Sequence, residues 1–201
     1  MVYGYKIHDK SEFFSLSKKG ENRMLKIAKI EVGELQCNCY LVEKNNTYLL
    51  IDPGDEYQKI VNFIQGKKIV GILITHGHFD HIGCLQKLEE DFHYPVYQYS
   101  NLKEGNLSIG NFSLEVIFTK GHSNDSVCYY FKENKVMFVG DFIFKGTIGR
   151  CDLEGGNFNE MLQSLQKIKQ YNQEITLYPG HGEKTTLQEE LENNPYFKYI
   201  P

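Results

Sequence analysis

Short apolar segments separated by polar turns run through most of the chain. Runs rich in Val, Ile, Leu, Tyr and Phe, broken by Gly, Asn and Lys-Asn turns, predict β-strands. The dipeptides Asn45-Asn46 and Glu133-Asn134 join neighbouring runs and predict hairpins. The predicted strands are Leu25–Glu31, Cys39–Glu43, Tyr48–Ile51, Val70–Thr75, Val96–Gln98, Leu114–Thr119, Val127–Phe131, Val136–Val139 and Ile175–Tyr178.

Four segments carry apolar residues at helical spacing and are bounded by start or stop signals. Asn157 suits an N-cap, where a short polar side chain accepts a hydrogen bond from the first turn, and Gly66 suits a helix stop. The predicted helices follow Asp55, run from about Ile82 to Phe92, begin at Asn157 and follow Thr185-Thr186.

Strands and helices interleave along residues 24–201 without a linker, which predicts one α/β domain. A length of 201 residues, with 41% apolar and 24% charged residues, agrees with a single globular domain. Residues 1–23 are polar and show no sustained periodicity, so we expect them to form an N-terminal extension.

Charge and cysteine usage exclude several classes of function. A formal net charge of -4 argues against a general binder of nucleic acid or of an anionic membrane, and no apolar stretch is long enough to span a membrane. The five cysteines are scattered, as expected of a reduced cytoplasmic protein. Cys37 and Cys39 are spaced like metal ligands, but without a second pair we interpret them as buried thiols. The oligomeric state stays open.

Polar residues of one chemical type follow five of the predicted strands. Sites in layered α/β folds form at the carboxyl ends of strands, where loops converge, so we expect these side chains to meet at one edge. The five strand-end residues are Asp52, His76, His122, Asp141 and His181.

The segment 75–81, THGHFDH, has the densest cluster of potential metal ligands. Imidazole and carboxylate suit Zn, Fe and related ions. His76 and His78, two residues apart, can reach one ion from a loop, whereas the adjacent Asp80 and His81 would point towards another. The spacing therefore predicts two metals side by side.

The strand-end residues complete two ligand sets. One set comprises His76, His78 and His122, and the other comprises Asp80, His81 and His181, while Asp141 can bridge both ions. Three protein ligands per ion leave positions for water, as in catalytic sites. Two carboxylates and one hydroxide leave the site with a charge of about +1, which attracts anionic substrates. We expect Asp52 to orient a ligand histidine through its other ring nitrogen.

Several stretches resemble the metallo-β-lactamase-fold hydrolases, and within them the short glyoxalase II-like (hydroxyacylglutathione hydrolase-like) branch. The HxHxDH motif is specific for the superfamily, and GxIGRxDLxGG and PGHG narrow it to this branch. The resemblance implies a four-layer αββα sandwich, a dinuclear site at one edge and the ligand division given above. The matching stretches are LLIDPGD (49–55), ITHGHFDHIG (74–83), KGHSNDSVCY (120–129), VMFVGDFIF (136–144), GTIGRCDLEGG (146–156) and LYPGHG (177–182).

The predicted activity is hydrolysis of a small-molecule thioester, a 2-hydroxyacyl ester of a small thiol, by attack of a metal-bound hydroxide. Two divalent ions are required; Zn is favoured, with Fe or Mn as alternatives. Both Asp80 and Asp141 are expected to serve catalysis: Asp141, as a bridge, fixes the separation of the metals, and Asp80 is a ligand that also helps to hold the hydroxide. Lys145 and Arg150, in the loop after Asp141, are candidates for pairing with a substrate carboxylate.

Other functions of the same fold stay open. A mononuclear iron persulfide dioxygenase would use one ligand set and leave the other without a role. Lactone or phosphodiester hydrolysis on the same metals would differ only in the leaving group. The chain ends 20 residues after His181, where two-domain glyoxalase II enzymes carry a helical domain that helps to bind glutathione, so the thiol of the substrate is undetermined.

Overall fold

Two β-sheets packed face to face form the centre of the computed structural model, which describes residues 24–200. Within that range, one sheet has five strands in the order β1-β2-β3-β4-β5 and the other six in the order β13-β12-β9-β8-β7-β6, with β10 and β11 forming a separate pair. The strands are β1 (Lys26–Val32), β2 (Cys37–Lys44), β3 (Thr47–Ile51), β4 (Ile69–Leu73), β5 (Val96–Tyr97), β6 (Gly105–Ile109), β7 (Phe112–Phe118), β8 (Val127–Phe131), β9 (Val136–Gly140), β10 (Ile143–Phe144), β11 (Thr147–Ile148), β12 (Thr176–Pro179) and β13 (Thr185–Thr186).

Helices cover the outer face of each sheet, which makes the four-layer αββα sandwich that the resemblance implied. Three buried apolar clusters fill the three interfaces: one under α1 and α3, one between the sheets, and one under α4 and α5. The helices are α1 (Tyr57–Ile64), α2 (Phe79–Ile82), α3 (Leu85–Phe92), α4 (Phe158–Ile168) and α5 (Leu187–Asn193).

Strand alternation explains why the inner strands are apolar on both faces. Successive side chains of a strand point to opposite faces. Tyr129 and Phe131 of β8 pack between the sheets, whereas Cys128 and Tyr130 pack under α4 and α5. A strand buried on both faces therefore has a continuous apolar run, as Val127–Phe131 does.

The local signals in the sequence correspond to observed features. Each of the nine predicted strands overlaps an observed strand. Asn45 and Asn46 both have positive φ, at 53° and 58°, between antiparallel β2 and β3, as a two-residue hairpin requires. Asn157 caps α4 by accepting hydrogen bonds from the backbone N–H groups of Asn159 and Glu160.

The structure differs from these predictions in four strands that were not predicted, β6, β10, β11 and β13, and in one helix. Strand β6, which was not predicted, has few apolar residues because it is an edge strand that pairs with β7 alone. The helix predicted from Ile82 to Phe92 is broken at residues 83–84, where Cys84 N donates to Pro53 O. A Cβ at Gly83 would lie 2.3 Å from Gly54 O, so the chain packs tightly there instead of continuing the helix.

The topology brings the predicted strand-end residues to one edge. Strands β3 and β4 are parallel, and so are β9 and β12. Since β7 and β9 both pair antiparallel with β8, β7 runs in the same direction as β9. The carboxyl ends of all five strands therefore carry the loops of one edge. The extension at residues 1–23 lies outside the described residues, and no helix within 24–200 is long and apolar enough to cross a membrane.

Candidate metal centre

Three imidazoles form the first cluster (His76, His78 and His122). His78 Nδ1 lies 3.1 Å from His76 Nε2 and 2.9 Å from His122 Nε2. His76 follows β4, His78 lies in the next loop and His122 follows β7, so both sheets contribute. Each of these short nitrogen–nitrogen contacts can hold at most one proton. The three nitrogens direct their lone pairs towards one point, and this arrangement suits the binding of a cation.

The second cluster (Asp80, His81 and His181) lies beside the first. His181 Nε2 is 3.1 Å from Asp80 Oδ2, and His81 Nε2 is 3.7 Å from the same oxygen. Helix α2 supplies Asp80 and His81, whereas His181 comes from the loop after β12. His81 is fully buried, while Asp80 and His181 retain some exposure, so the centre opens to solvent on their side.

Asp141 faces both clusters. Its Oδ2 lies 3.6 Å from His122 Nε2 and 3.5 Å from His181 Nε2, and its Oδ1 lies 3.3 Å from His81 Nε2. Gly180 allows this approach, because a Cβ there would lie 2.2 Å from Asp141 Oδ1. The strand-end aspartate therefore lies between the two clusters, within 3.6 Å of a histidine nitrogen in each.

The second ring nitrogens of His122 and His181 each face a backbone carbonyl oxygen. His122 Nδ1 lies 2.8 Å from Arg150 O, and His181 Nδ1 lies 2.9 Å from Leu35 O. A carbonyl oxygen only accepts, so Nδ1 carries a proton in both rings and Nε2 is the nitrogen that faces the centre.

Asp52 organises two further histidines, His81 directly and His76 through Thr75. Its Oδ2 lies 2.9 Å from His81 Nδ1 and accepts from Thr75 Oγ1 at 2.7 Å. That hydroxyl lies 3.2 Å from His76 Nδ1 and can accept its proton. The contact that we predicted for Asp52 with the second nitrogen of a histidine is thus present, and it extends to His76 through Thr75.

The pKa values of the metal-free centre divide the histidines. Burial, with neighbouring imidazoles, lowers the pKa of His76 well below its usual value and also lowers that of His78, which keeps both rings neutral. Burial would likewise lower the pKa of His181, but Asp141 and Asp80 raise it to about 10. Burial opposes ionisation of Asp141, yet His181 and His81 hold its pKa well below the usual range.

The unpaired atoms indicate that a cation fits here. His81 Nε2 and Asp141 Oδ1 are buried, face each other and make no hydrogen bond within the described residues. Buried polar groups without partners are rare because they are costly. Groups of donor atoms within 4.8 Å of one another include the whole first cluster, the second cluster with Cys37, and His76, His81 and Asp141. The imidazole and carboxylate donors present match what Zn, Fe and Mn bind.

Cys37 is a neighbour of the centre that sequence patterns did not assign. Its Sγ lies 3.6 Å from His81 Nδ1. Burial raises the pKa of its thiol to about 11. All five cysteines are free thiols, and Cys37, Cys39, Cys84 and Cys128 are buried.

The two cations considered for substrate binding have protein partners. Arg150 Nε and Nη2 each donate to Asp152 at 2.8 Å, and Lys145 lies 3.4 Å from Glu183. A substrate carboxylate would have to compete with these exposed pairs. Arg150 touches the centre through its backbone carbonyl, which any residue type could supply.

A four-layer αββα sandwich with a three-histidine cluster and a histidine–carboxylate cluster at one edge defines a class of metal-dependent hydrolases. Residues 32–104 and 103–181 match the Metallo-beta-lactamase superfamily, and the chain belongs to that superfamily.

Two curated relatives span nearly the whole chain. A probable metallo-hydrolase, YqgX of Bacillus subtilis (strain 168), is 35% identical over 205 residues, covering 86% of this chain and 97% of the relative. The hydroxyacylglutathione hydrolase GloC of Haemophilus influenzae is 28% identical over 204 residues, covering 83% of this chain and 95% of the relative.

Two solved structures share the fold closely. The B3 metallo-beta-lactamase BLEG-1 superposes with a TM-score of 0.81 at 29% identity, covering 85% of this chain and 98% of the other. TTHA1623 in a di-iron-bound form superposes with a TM-score of 0.79 at 33% identity, covering 84% of this chain and 99% of the other. The chain is accordingly a metal-dependent hydrolase of this fold.

Proposed function

We propose that the protein is a dinuclear thioester hydrolase of the glyoxalase II type, acting on a 2-hydroxyacyl ester of a small thiol. The observation that carries the proposal is the pair of donor clusters that share Asp141. The similarity to a hydroxyacylglutathione hydrolase supports the substrate class.

Two divalent ions held by these clusters, with Zn favoured and Fe or Mn as alternatives, would make a hydroxide nucleophile available at neutral pH and polarise the thioester carbonyl. The chain holds the lone pairs in place: Arg150 O, Leu35 O and Asp52 fix the ring protons on the side away from the centre. Asp80 and Asp141 bring two carboxylates to the open side, where they can accept hydrogen bonds from the attacking water.

The leaving group needs little help from the protein. Thiols are acidic enough to leave as thiolates near neutral pH. A general acid is therefore not required, which suits a centre in which His76 and His78 are held neutral.

The second cluster favours two ions over one. A mononuclear iron dioxygenase would use one donor cluster and leave the other without an ion. The likeness to a B3 metallo-beta-lactamase adds a β-lactam to the substrates worth testing, since attack on its carbonyl is the same chemistry. Lactones and phosphodiesters belong in the same comparison.

The test is a substrate panel on protein loaded separately with Zn, Fe or Mn, with bound metal counted for each preparation. The panel contains a 2-hydroxyacyl-glutathione thioester, a lactone, a phosphodiester, a β-lactam and a persulfide with oxygen uptake recorded. We expect two ions per chain and a kcat/KM for the thioester above that for every other substrate.

Two histidine variants make the comparison specific. His122→Asn removes a member of the first cluster and should abolish turnover. His93→Asn alters an exposed histidine at the end of α3, where φ is 55° and Asn is tolerated, and should leave turnover unchanged. A two-metal protein that turns over another substrate and leaves the thioester intact would refute the proposed function.

A further inference from the structure

The loop that carries His181 is held by a residue of the opposite sheet. Asn38, in β2, is fully buried. Its Nδ2 donates to Pro179 O and to Gly182 O, each at 3.0 Å. Its backbone N–H donates to Gly180 O at 2.7 Å. One side chain thus joins the carbonyls on both sides of His181 and connects the two sheets at the edge where the centre lies.

An amide is the side chain that this position requires. Its nitrogen has two hydrogens, one for each carbonyl, whereas a hydroxyl has one and a carboxylate has none. The two carbonyls also fix the orientation, because the reversed amide of Asn38 would place oxygen against oxygen. Its Oδ1 is left buried and without a partner within residues 24–200, a cost accepted to hold the loop.

The segment around Asn38 fixes the His181 ring as well as its backbone. Leu35 O, in the turn before β2, accepts from His181 Nδ1 at 2.9 Å. Tyr40, two residues after Asn38, donates from its hydroxyl to Pro179 O at 2.6 Å. Residues 35–40 therefore determine where His181 Nε2 lies relative to Asp80 and Asp141.

We propose that Asn38 is a positioning residue for His181 and sets the metal affinity of the second cluster through its two hydrogen bonds to the loop. The proposal rests on the proposed function only for the assignment of Asp80, His81 and His181 as ligands. Each hydrogen bond is worth about five- to sixfold in an equilibrium constant, so losing both should weaken metal binding by that cluster about 30-fold. The first cluster, held by other contacts, should keep its affinity.

The experiment measures Zn affinity of the full chain by competition with a chromophoric chelator. Asn38→Ala should bind one ion like the wild type and the other about 30-fold more weakly. Asn38→Asp, which sets oxygens against the loop carbonyls, should weaken it further and approach the pattern of His181→Ala. Tyr40→Phe removes one hydrogen bond to Pro179 O, should cost about fivefold, and serves if the Asn38 variants do not fold.

Asn194→Ala is the matched control for loss of a buried amide. Asn194 is 1% exposed, and its Nδ2 donates to Thr147 O at 2.9 Å and to Glu190 Oε2 at 2.8 Å. It should lower the free energy of unfolding of the metal-free protein, as Asn38→Ala does, while both Zn affinities stay at wild-type values.

Three outcomes would overturn the role of Asn38. The first is that Asn38→Ala keeps both wild-type Zn affinities, and the second is that it weakens the affinity for both ions equally. The third is that the wild-type protein binds a single ion whose affinity is unchanged in Asn38→Ala. The readout is independent of substrate. A protein with two ions and the expected loss in Asn38→Ala, but without thioesterase activity, would refute the proposed function and retain this inference.

Discussion

The substitution Asp52→Asn should test how the ligand histidines are held in place, and it should do so more specifically than removal of any ligand. Asp52 is buried and accepts three hydrogen bonds: Oδ1 from Thr75 N at 2.8 Å, and Oδ2 from Thr75 Oγ1 at 2.7 Å and from His81 Nδ1 at 2.9 Å. Its φ of 51° lies in the left-handed region, which Asn also adopts readily. The substitution therefore keeps the shape and the backbone.

The backbone then decides which way the new amide turns. Thr75 N–H always donates, so the amide oxygen must stay at the Oδ1 position and the NH₂ group must face His81. His81 Nδ1 would have to accept, which moves the ring proton to Nε2 and removes the lone pair directed at the second cluster. Partners of this kind are worth about 10- to 100-fold in metal affinity or activity. We expect the upper end, about 2.7 kcal/mol.

The assay compares Zn affinity and kcat/KM of Asp52→Asn with those of Asp55→Asn. Asp55 is exposed in the same loop, so its substitution makes the same change of charge away from the centre. Asp52→Asn should lose one ion at a Zn concentration that saturates the control. Two ions bound within about threefold of wild-type affinity would show that the His81 proton is not governed by Asp52.

Three further expectations address other features. Asp141→Ala should lose at least one ion and about 10³-fold or more in rate, because Asp141 faces both clusters; near-normal turnover of the purified variant would exclude a bridge. In metal-free protein the pKa of His181 is raised from 6.5 to about 10, so the protonated ring stabilises the folded state fully below pH 6.5, and this contribution is lost as pH rises through 10. Urea unfolding of the wild type and of His181→Asn at about pH 6 and about pH 10 tests this, and a difference in unfolding free energy that does not shrink at the higher pH would contradict it. A chain that begins at Met24 should fold and keep its metals, and thermal melting with metal analysis would reveal any loss that contradicts this.

The sequence predicted those features that depend on neighbouring residues. The hairpin at Asn45 and Asn46 and the N-cap at Asn157 are local, because the residues concerned make their contacts within a few positions. Strand β6 was missed although it pairs with the adjacent β7 across residues 110–111, because its sequence, GNLSI, carries only two large apolar residues. The break after Ile82, in contrast, arises from contact with Gly54, nearly thirty residues earlier.

The candidate ligands were also identified from local patterns in the sequence. His76, His78, Asp80 and His81 lie within six residues, and few structural roles require that density of donors. His122, Asp141 and His181 were found because each follows a predicted strand, and strand ends of this kind of fold converge.

Only the tertiary structure decided which nitrogen of each ring faces the centre and what holds the ring there. His181 is fixed by Leu35 O, 146 residues away, and its loop by Asn38, 141 residues from Pro179. Arg150, considered for its charge, contributes its carbonyl oxygen to His122. Every residue has a backbone carbonyl, so contacts made by carbonyl oxygens cannot be predicted from residue type. They become visible only when the two sheets are packed together.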